Sequence, residues 1–388
     1  MSIENPLVID LPSGLSPESG KSLREQVYYL SPEIKAVSLA GTVLTVQISS
    51  DLPDGESLRQ RIVDLAAAAV ASFRRVRTTM LFELKGTGTC SDDPFPELLR
   101  KRNVRRHAPG IFTFEGDFLR LMCALDGYFR AYALEIHAVE QAYPPTVLTR
   151  SMAKSGYLGN FPHHALLVAG VKRAAESVRQ ETKPSGAPAA DDLADPQQML
   201  APTVCYRCFE AMIGEKIGDS AIFTGTAHCN RNEGFIDDNL TRLQSFLMRE
   251  IIFFGATDEV GELRRQILEH ARAAIEDWGL TARAVTASDP FFMSANQGKR
   301  GYQTLMQLKY EMQLALPHDG TWLSCMSFND HQGSLVGPYD IQAERGGALT
   351  SGCVGYGLER LAYAILCQHG IDRESWPRRL RRIIDDFA

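Results

Sequence analysis

Long hydrophobic runs, disulfide-type cysteine spacing and a surplus of basic residues are all missing from this 388-residue chain. No apolar run approaches the roughly 18 residues that a membrane span needs, so no membrane partner is expected. Eight cysteines are few for the length and follow no framework spacing. A chain of this size builds its core without disulfide staples. The opening MSIENPLVIDLPSG has no basic segment ahead of a long apolar one. No signal peptide is therefore expected, and a reducing, cytoplasmic location is. The formal net charge of −6 weighs against a phosphate-backbone binder. Two basic clusters run against that balance, LRKRNVRRH at 99–107 and RRLRR at 378–382, and both read as solvated faces. Internal repeats, low-complexity tracts and long heptad patterns are absent too, which excludes solenoids and an extended coiled-coil arm.

What is present is an ordinary globular composition, 44% apolar and 23% charged, long enough for two or three domains. Residues 1–86 read as a β-α-β-β-α-β unit. The run LVIDL is followed by a helical stretch ending in REQVYYL, then by IKAVSLA and VLTVQIS as strands. An Ala-rich helix with Ser57 as N-cap comes next, and TTMLFELKG closes the unit as an alternating strand. That order is ferredoxin-like. Residues 87–112 are polar, charged and punctuated by Pro and Gly, and read as an interdomain linker. From 113 to 388 an amphipathic helix, GDFLRLMCALDGYFRAYALEI, opens an α+β domain dominated by strands. The helix TDEVGELRRQILEHARAAIEDWG interrupts them, with Thr257 as its expected N-cap.

Three segments carry chemistry. Cys205 and Cys208 stand in a C-x-x-C spacing, which suits half of a zinc site, a redox pair or two buried thiols. Arg231 and Glu233 precede a strand holding Phe246 and Glu250. An arginine can clamp a phosphate through two hydrogen bonds, a carboxylate two residues on shares its face, and an aromatic offers a flat surface to a base. Near the C-terminus SGCVGYGLER sets Cys353 and Arg360 around glycines where a strand gives way to a helix.

R-x-E, an aromatic strand, then G-x-G-x-x-R resembles the second and third signature motifs of class II aminoacyl-tRNA synthetases. With SGYLGNFP, TRLQSFLMRE, DPFF, LKYEMQLALP and CMSFNDH, the chain from about residue 110 onward resembles the amino acid:carrier-protein ligases. These are homologues of the catalytic core of the atypical, zinc-dependent seryl-tRNA synthetases. The resemblance implies an antiparallel sheet flanked by helices, and a Zn²⁺ held by Cys205, Glu250 and Cys353, with Glu250 facing the substrate. Cys208 and Cys229 would then be spare thiols. It places Arg231 on the α-phosphate of ATP, Glu233 on the adenine amino group, Phe246 against the adenine ring and Arg360 on the γ-phosphate. Arg242, Leu243, Ser324, Cys325, Met326 and Ser327 match further ATP-contacting positions. The implied reaction activates a small amino acid, glycine or alanine, with ATP and Mg²⁺ as an aminoacyl adenylate. The acceptor is then the phosphopantetheine thiol of a carrier protein. A homodimer built on QAYPPTVLTRSM is implied as well.

The missing coiled-coil arm argues against tRNA as acceptor. The alternative is tRNA charging, with the N-terminal unit and RKRNVRRH as the binding surface. A non-catalytic relative is disfavoured, because both arginines and all three ligand positions are kept. The resemblance does not reach the first 105 residues.

Overall fold

Runs rich in β-branched and aromatic residues set the longest strands of this protein. Its computed structural model describes residues 6–11, 20, 23–24, 26–31, 33–48, 55–72, 79–172, 190–236, 239–287 and 306–387, with backbone alone at 55 and 68–72. The DPFF motif at 289–292 lies outside the described residues. Eight strands form one sheet in the order Met80–Leu84, Ala282–Thr286, Lys309–Leu316, Thr321–Gln332, Thr350–Gly357, Ser245–Gly255, Ala221–Asn230 and Val139–Glu140. All neighbours are antiparallel except the last pair.

The period of two sends Ile251, Phe253, Val354, Tyr356, Met326, Phe328 and Met312 to one face, where helices Gly116–Glu135, Thr257–Asp277 and Leu358–His369 bury them, and Arg378–Phe387 packs on the first of these. Burying this many large side chains is the main stabilising term, at about 1.5–3 kcal/mol each. The bidentate pair of Arg249 with Asp126, at 2.6 and 3.0 Å, fastens the first of these helices to the sheet. The alternate positions, Glu250, Ser327 and Cys353 among them, fall on the opposite face, and the site is built there. Among the described residues no helix is long and apolar enough to cross a membrane.

The expected class II-like antiparallel sheet flanked by helices is the one observed. Three N-terminal strands, Leu7–Asp10, Val43–Ile48 and Ile34–Ala40, form a small antiparallel sheet with helix Gly55–Ser72 on its core. The strand Met80–Leu84 also forms, but it pairs with Ala282–Thr286 at the edge of the large sheet and not with the small one. Its Phe82 and Leu84 pack against the large core, and Arg272 lies 5.1 Å over the Phe82 ring. Alternation marks a strand without naming its neighbour.

The stretch expected as a linker is built in as well. Helix Phe95–Arg100 and a hairpin of Val104–Ala108 with Ile111–Phe114 bury Phe95, Leu98 and Val104, while the charges that suggested a linker face outward. The Cys90 N–H also donates to the Gln368 carbonyl. Both basic clusters are solvated, as expected: Arg105 pairs with Glu115, and Arg381 and Arg382 pair with Glu374 and Asp386. Two caps differ from expectation. Ser57 lies inside its helix, which begins at Gly55, and Thr257 is the first helical residue. Ala256 is the N-cap of the second helix, and the Glu259 carboxylate reaches back to its N–H at 3.0 Å.

Candidate active site

Strand register creates the first half of the site. Ile252 lies opposite Cys353, Glu250 opposite Gly355, and Asn329 opposite Cys353, so Glu250, Cys353, Asn329 and Ser327 share the open face. Helix Cys205–Ala211 then delivers Cys205. Its first N–H groups are held by Glu250, whose two oxygens accept from Val204 N–H at 3.1 Å and Cys205 N–H at 2.9 Å. The ligand atoms of Cys205, Glu250 and Cys353 all lie within 4.8 Å of one another, and all three residues are buried.

Burial raises the Glu250 carboxyl pKa against the pull of those N–H groups. The adjacent Cys205, and then burial, raise the Cys353 thiol well above its ordinary value. Two thiolates and a carboxylate packed together out of water are costly unless a cation compensates them. Two soft sulfurs and one oxygen are the donor set of a three-ligand zinc centre. The edges of a tetrahedral zinc site are ~3.3–3.9 Å, so a small closure of the trio suffices. The residues therefore fit the metal.

Around the trio stand partners that sequence reasoning did not single out. Thr203 Oγ1 lies 3.1 Å from Cys205 Sγ, while Asn329 Nδ2 and His331 Nε2 each lie 3.4 Å from Cys353 Sγ. Asn329 and His331 are two apart on one strand in FNDH, which was the available signal. Cys208, in the same apolar cluster as Cys205 and Cys353, and Cys229, on strand Ala221–Asn230, are fully buried, and burial pushes both thiols up to about 12. Neither belongs to the group of potential ligand atoms found among the described residues.

The second half of the site collects the arginines. Arg231 donates through Nε to the Pro202 carbonyl at 3.0 Å and holds its guanidinium 5.2 Å over the Phe246 ring. Arg242 pairs with Glu233 at 3.4 Å. Arg360, on the first turn of helix Leu358–His369, donates to the Ser324 carbonyl at 3.1 Å. Burial, then Arg242 and more weakly Arg231, lower the Arg360 pKa, while Glu233 opposes them. Arg360 is thus repelled by two guanidiniums and attracted by the Glu233 carboxylate, a setting that a polyphosphate relieves.

Of the remaining predicted positions, Ser324 and Ser327 face the open side, with Ser324 Oγ donating to Glu311 at 2.6 Å. A register shift beside Met312 turns both Cys325 and Met326 into the core, and Leu243 is buried there as well. At those three positions only the backbone is available to a ligand. Gly355 forms the floor between the two halves. A Cβ there would lie 3.2 Å from Met248 Sδ, 3.3 Å from Ser327 Oγ and 3.5 Å from Glu250 Cγ. Glu359 ties the Arg360 helix to the aromatic strand, its Oε1 accepting from Leu247 N–H at 2.7 Å. Burial raises its carboxyl to about 7.

No protein-family model matches the chain. Amino acid–[acyl-carrier-protein] ligase 1 of Bradyrhizobium diazoefficiens is 33% identical over 246 residues, covering 62% of this chain and 75% of that protein. The type-2 serine–tRNA ligase of Methanopyrus kandleri is 24% identical across 88% of this chain and 72% of its own length. The crystal structure of the M. kandleri seryl-tRNA synthetase with A. aeolicus tRNASec superposes with a TM-score of 0.69 at 21% identity, covering 98% of this chain and 77% of that one. This last likeness concerns the fold.

Proposed function

The chain belongs to the amino acid–[acyl-carrier-protein] ligase family, and from that premise we propose that it activates a small amino acid with ATP and loads it onto a carrier protein. The observation that carries this reading is a buried Cys205–Glu250–Cys353 trio on one sheet face with the Arg231, Arg242 and Arg360 cluster. Cys353 and Gly357, at the foot of the Arg360 helix, are about 13 Å apart along one strand. One end of the face suits an amino acid and the other a nucleotide.

Cys205, Glu250 and Cys353 would hold Zn²⁺. When bound, it supplies a Lewis-acid position for the unprotonated α-amine of the substrate, which selects amino acids over other carboxylates. Gly355 leaves the floor clear, so that the substrate carboxylate lies between the two halves. Phe246 stacks on the adenine, Glu233 accepts from its amino group, Arg231 holds the α-phosphate, and Arg360 holds the γ-phosphate of Mg²⁺-ATP. Attack of the substrate carboxylate on the α-phosphorus forms the acyl–phosphate bond and breaks the bond to pyrophosphate. No protein base is needed, because the carboxylate is already ionised, and the arginines stabilise the charge that develops. The phosphopantetheine thiol then attacks the acyl carbon, giving a thioester and AMP, with its proton leaving to solvent. The eight free cysteines suit a reducing cytoplasm, and the segment QAYPPTVLTRSM, which includes strand Thr146–Leu148, is where a homodimer would form.

ATP–pyrophosphate exchange across the twenty amino acids tests the activation step. Glycine or alanine should support exchange, and silence with every amino acid would refute it. A second reading, tRNA charging, draws on the likeness to the M. kandleri ligase that reaches across 88% of this chain. Aminoacylated tRNA in the presence of serine, lost steeply with added salt, would favour it.

A further inference from the structure

The N-terminal unit has no role in the reading above, yet one of its side chains lies on the nucleotide loop. Tyr28 and Tyr29 form a single turn, Tyr28–Leu30, ahead of the strand Ile34–Ala40. Tyr28 is anchored in its own unit, its hydroxyl accepting from Val37 N–H at 2.9 Å and its ring packing on that core. It also faces Phe235 with ring centroids 5.3 Å apart. Tyr29 reaches further. Its hydroxyl donates to the Asn232 carbonyl at 3.1 Å and accepts from Gly234 N–H, the two peptide groups that flank Glu233.

On its far edge the Tyr29 ring meets His163 at 4.9 Å, while the His164 carbonyl accepts from Asn232 N–H at 3.1 Å. The loop is thus held from two sides. The approach of the ring requires a glycine: a Cβ at Gly234 would lie 2.6 Å from a Tyr29 ring carbon.

Resting on the nucleotide reading of Arg231, Glu233 and Arg242, we propose that Tyr29 is a positioning residue for nucleotide binding, and that the N-terminal unit is thereby a fixed part of that site. A single phenol bonded on both sides of one residue fixes the backbone direction there, and with it where the Glu233 carboxylate points. Glu233 in turn holds Arg242 at 3.4 Å. Without the phenol the loop keeps its sequence but loses the preorganisation that makes binding tight.

The test is Tyr29→Phe in the full chain, which keeps the ring and removes both hydrogen bonds. Two readouts are taken: hydrogen–deuterium exchange of the segment containing Gly234, and the Kd of a non-hydrolysable ATP analogue. We expect faster exchange at that segment and an affinity lowered about tenfold, the value of two ordinary hydrogen bonds. In pyrophosphate exchange, KM for ATP should rise while KM for the amino acid stays put, a split that general destabilisation would not give. Gly234→Ala should shift ATP affinity the same way. Unchanged amide exchange, or loosened exchange with unchanged analogue affinity, would overturn the proposal alone. A wild-type protein that binds no ATP analogue would overturn the functional reading and this inference together.

Discussion

The proposed base stack predicts a specific cost for replacing Phe246 by leucine. Phe246 sits opposite Cys229 in the strand pair and is half-packed against the large core, so leucine retains the apolar burial and loses the flat face. Base–aromatic stacking is worth ~1–3 kcal/mol, and the cation–π contact that holds Arg231 over the ring at 5.2 Å adds ~0.5–1 kcal/mol. Leucine recovers part of the contact, leaving a net loss of about 2 kcal/mol, or about 30-fold in KM for ATP. Pyrophosphate exchange at varied ATP measures it, with KM for the amino acid unchanged as an internal control. Phe246→Tyr keeps the face and should stay within about threefold of wild type. A leucine variant with wild-type KM for ATP, or a tyrosine variant as weak as leucine, would refute the stack.

The other perturbations probe separate parts of the site. Cys353→Ser removes one of the two sulfur donors and should lower zinc affinity by at least about 100-fold, read by metal analysis after dialysis, with the fold retained by circular dichroism. Zinc retained at one per chain would contradict the ligand assignment. Arg360→Lys keeps a charge but loses the planar fork, and kcat/KM for exchange should fall by about 10²-fold; a smaller loss than tenfold would remove Arg360 from the phosphate site. Glu359 titrates at about 7 when folded against 4.5 ordinarily, so the native state holds a proton that the unfolded chain has lost between those values. Its contribution to stability therefore falls as pH rises from about 4.5 to about 7. Glu359→Gln should be increasingly more stable than wild type across that window, by at most about 3 kcal/mol above it, in urea unfolding at several pH values. A difference that does not vary with pH would refute the buried, proton-holding carboxyl.

The long strands of the large sheet were legible because their runs are rich in β-branched and aromatic residues, even where consecutive apolar residues, as in IIFF at 251–254, or a bulge at Cys325–Met326 breaks the alternation. Partners were less so: nothing in TTMLFELKG says that it closes the large sheet and not the small one, since that choice rests on Phe82 and Leu84 meeting a core formed 200 residues later. Polarity misled at 87–112, where a few residues, Phe95, Leu98 and Val104, suffice to anchor a charged segment. Within the site, the arginines and Phe246 were readable from residue type and order. Cys205, Glu250 and Cys353 were not separable from Cys208 and Cys229 by spacing, because strand register and one helix terminus bring them together; only the family resemblance picked them out. Tyr29 gave no local signal at all, as its partners are backbone groups more than 200 residues away.

Loading of a carrier protein tests the central claim most directly. The purified ligase is incubated with ATP, glycine or alanine, zinc and a phosphopantetheinylated carrier protein, and the carrier is weighed by intact mass spectrometry. The account predicts a carrier heavier by one aminoacyl group, sensitive to hydroxylamine as a thioester is, and absent when the apo-carrier replaces the holo form. Pyrophosphate exchange that proceeds while every holo-carrier stays unmodified and tRNA becomes charged would contradict it.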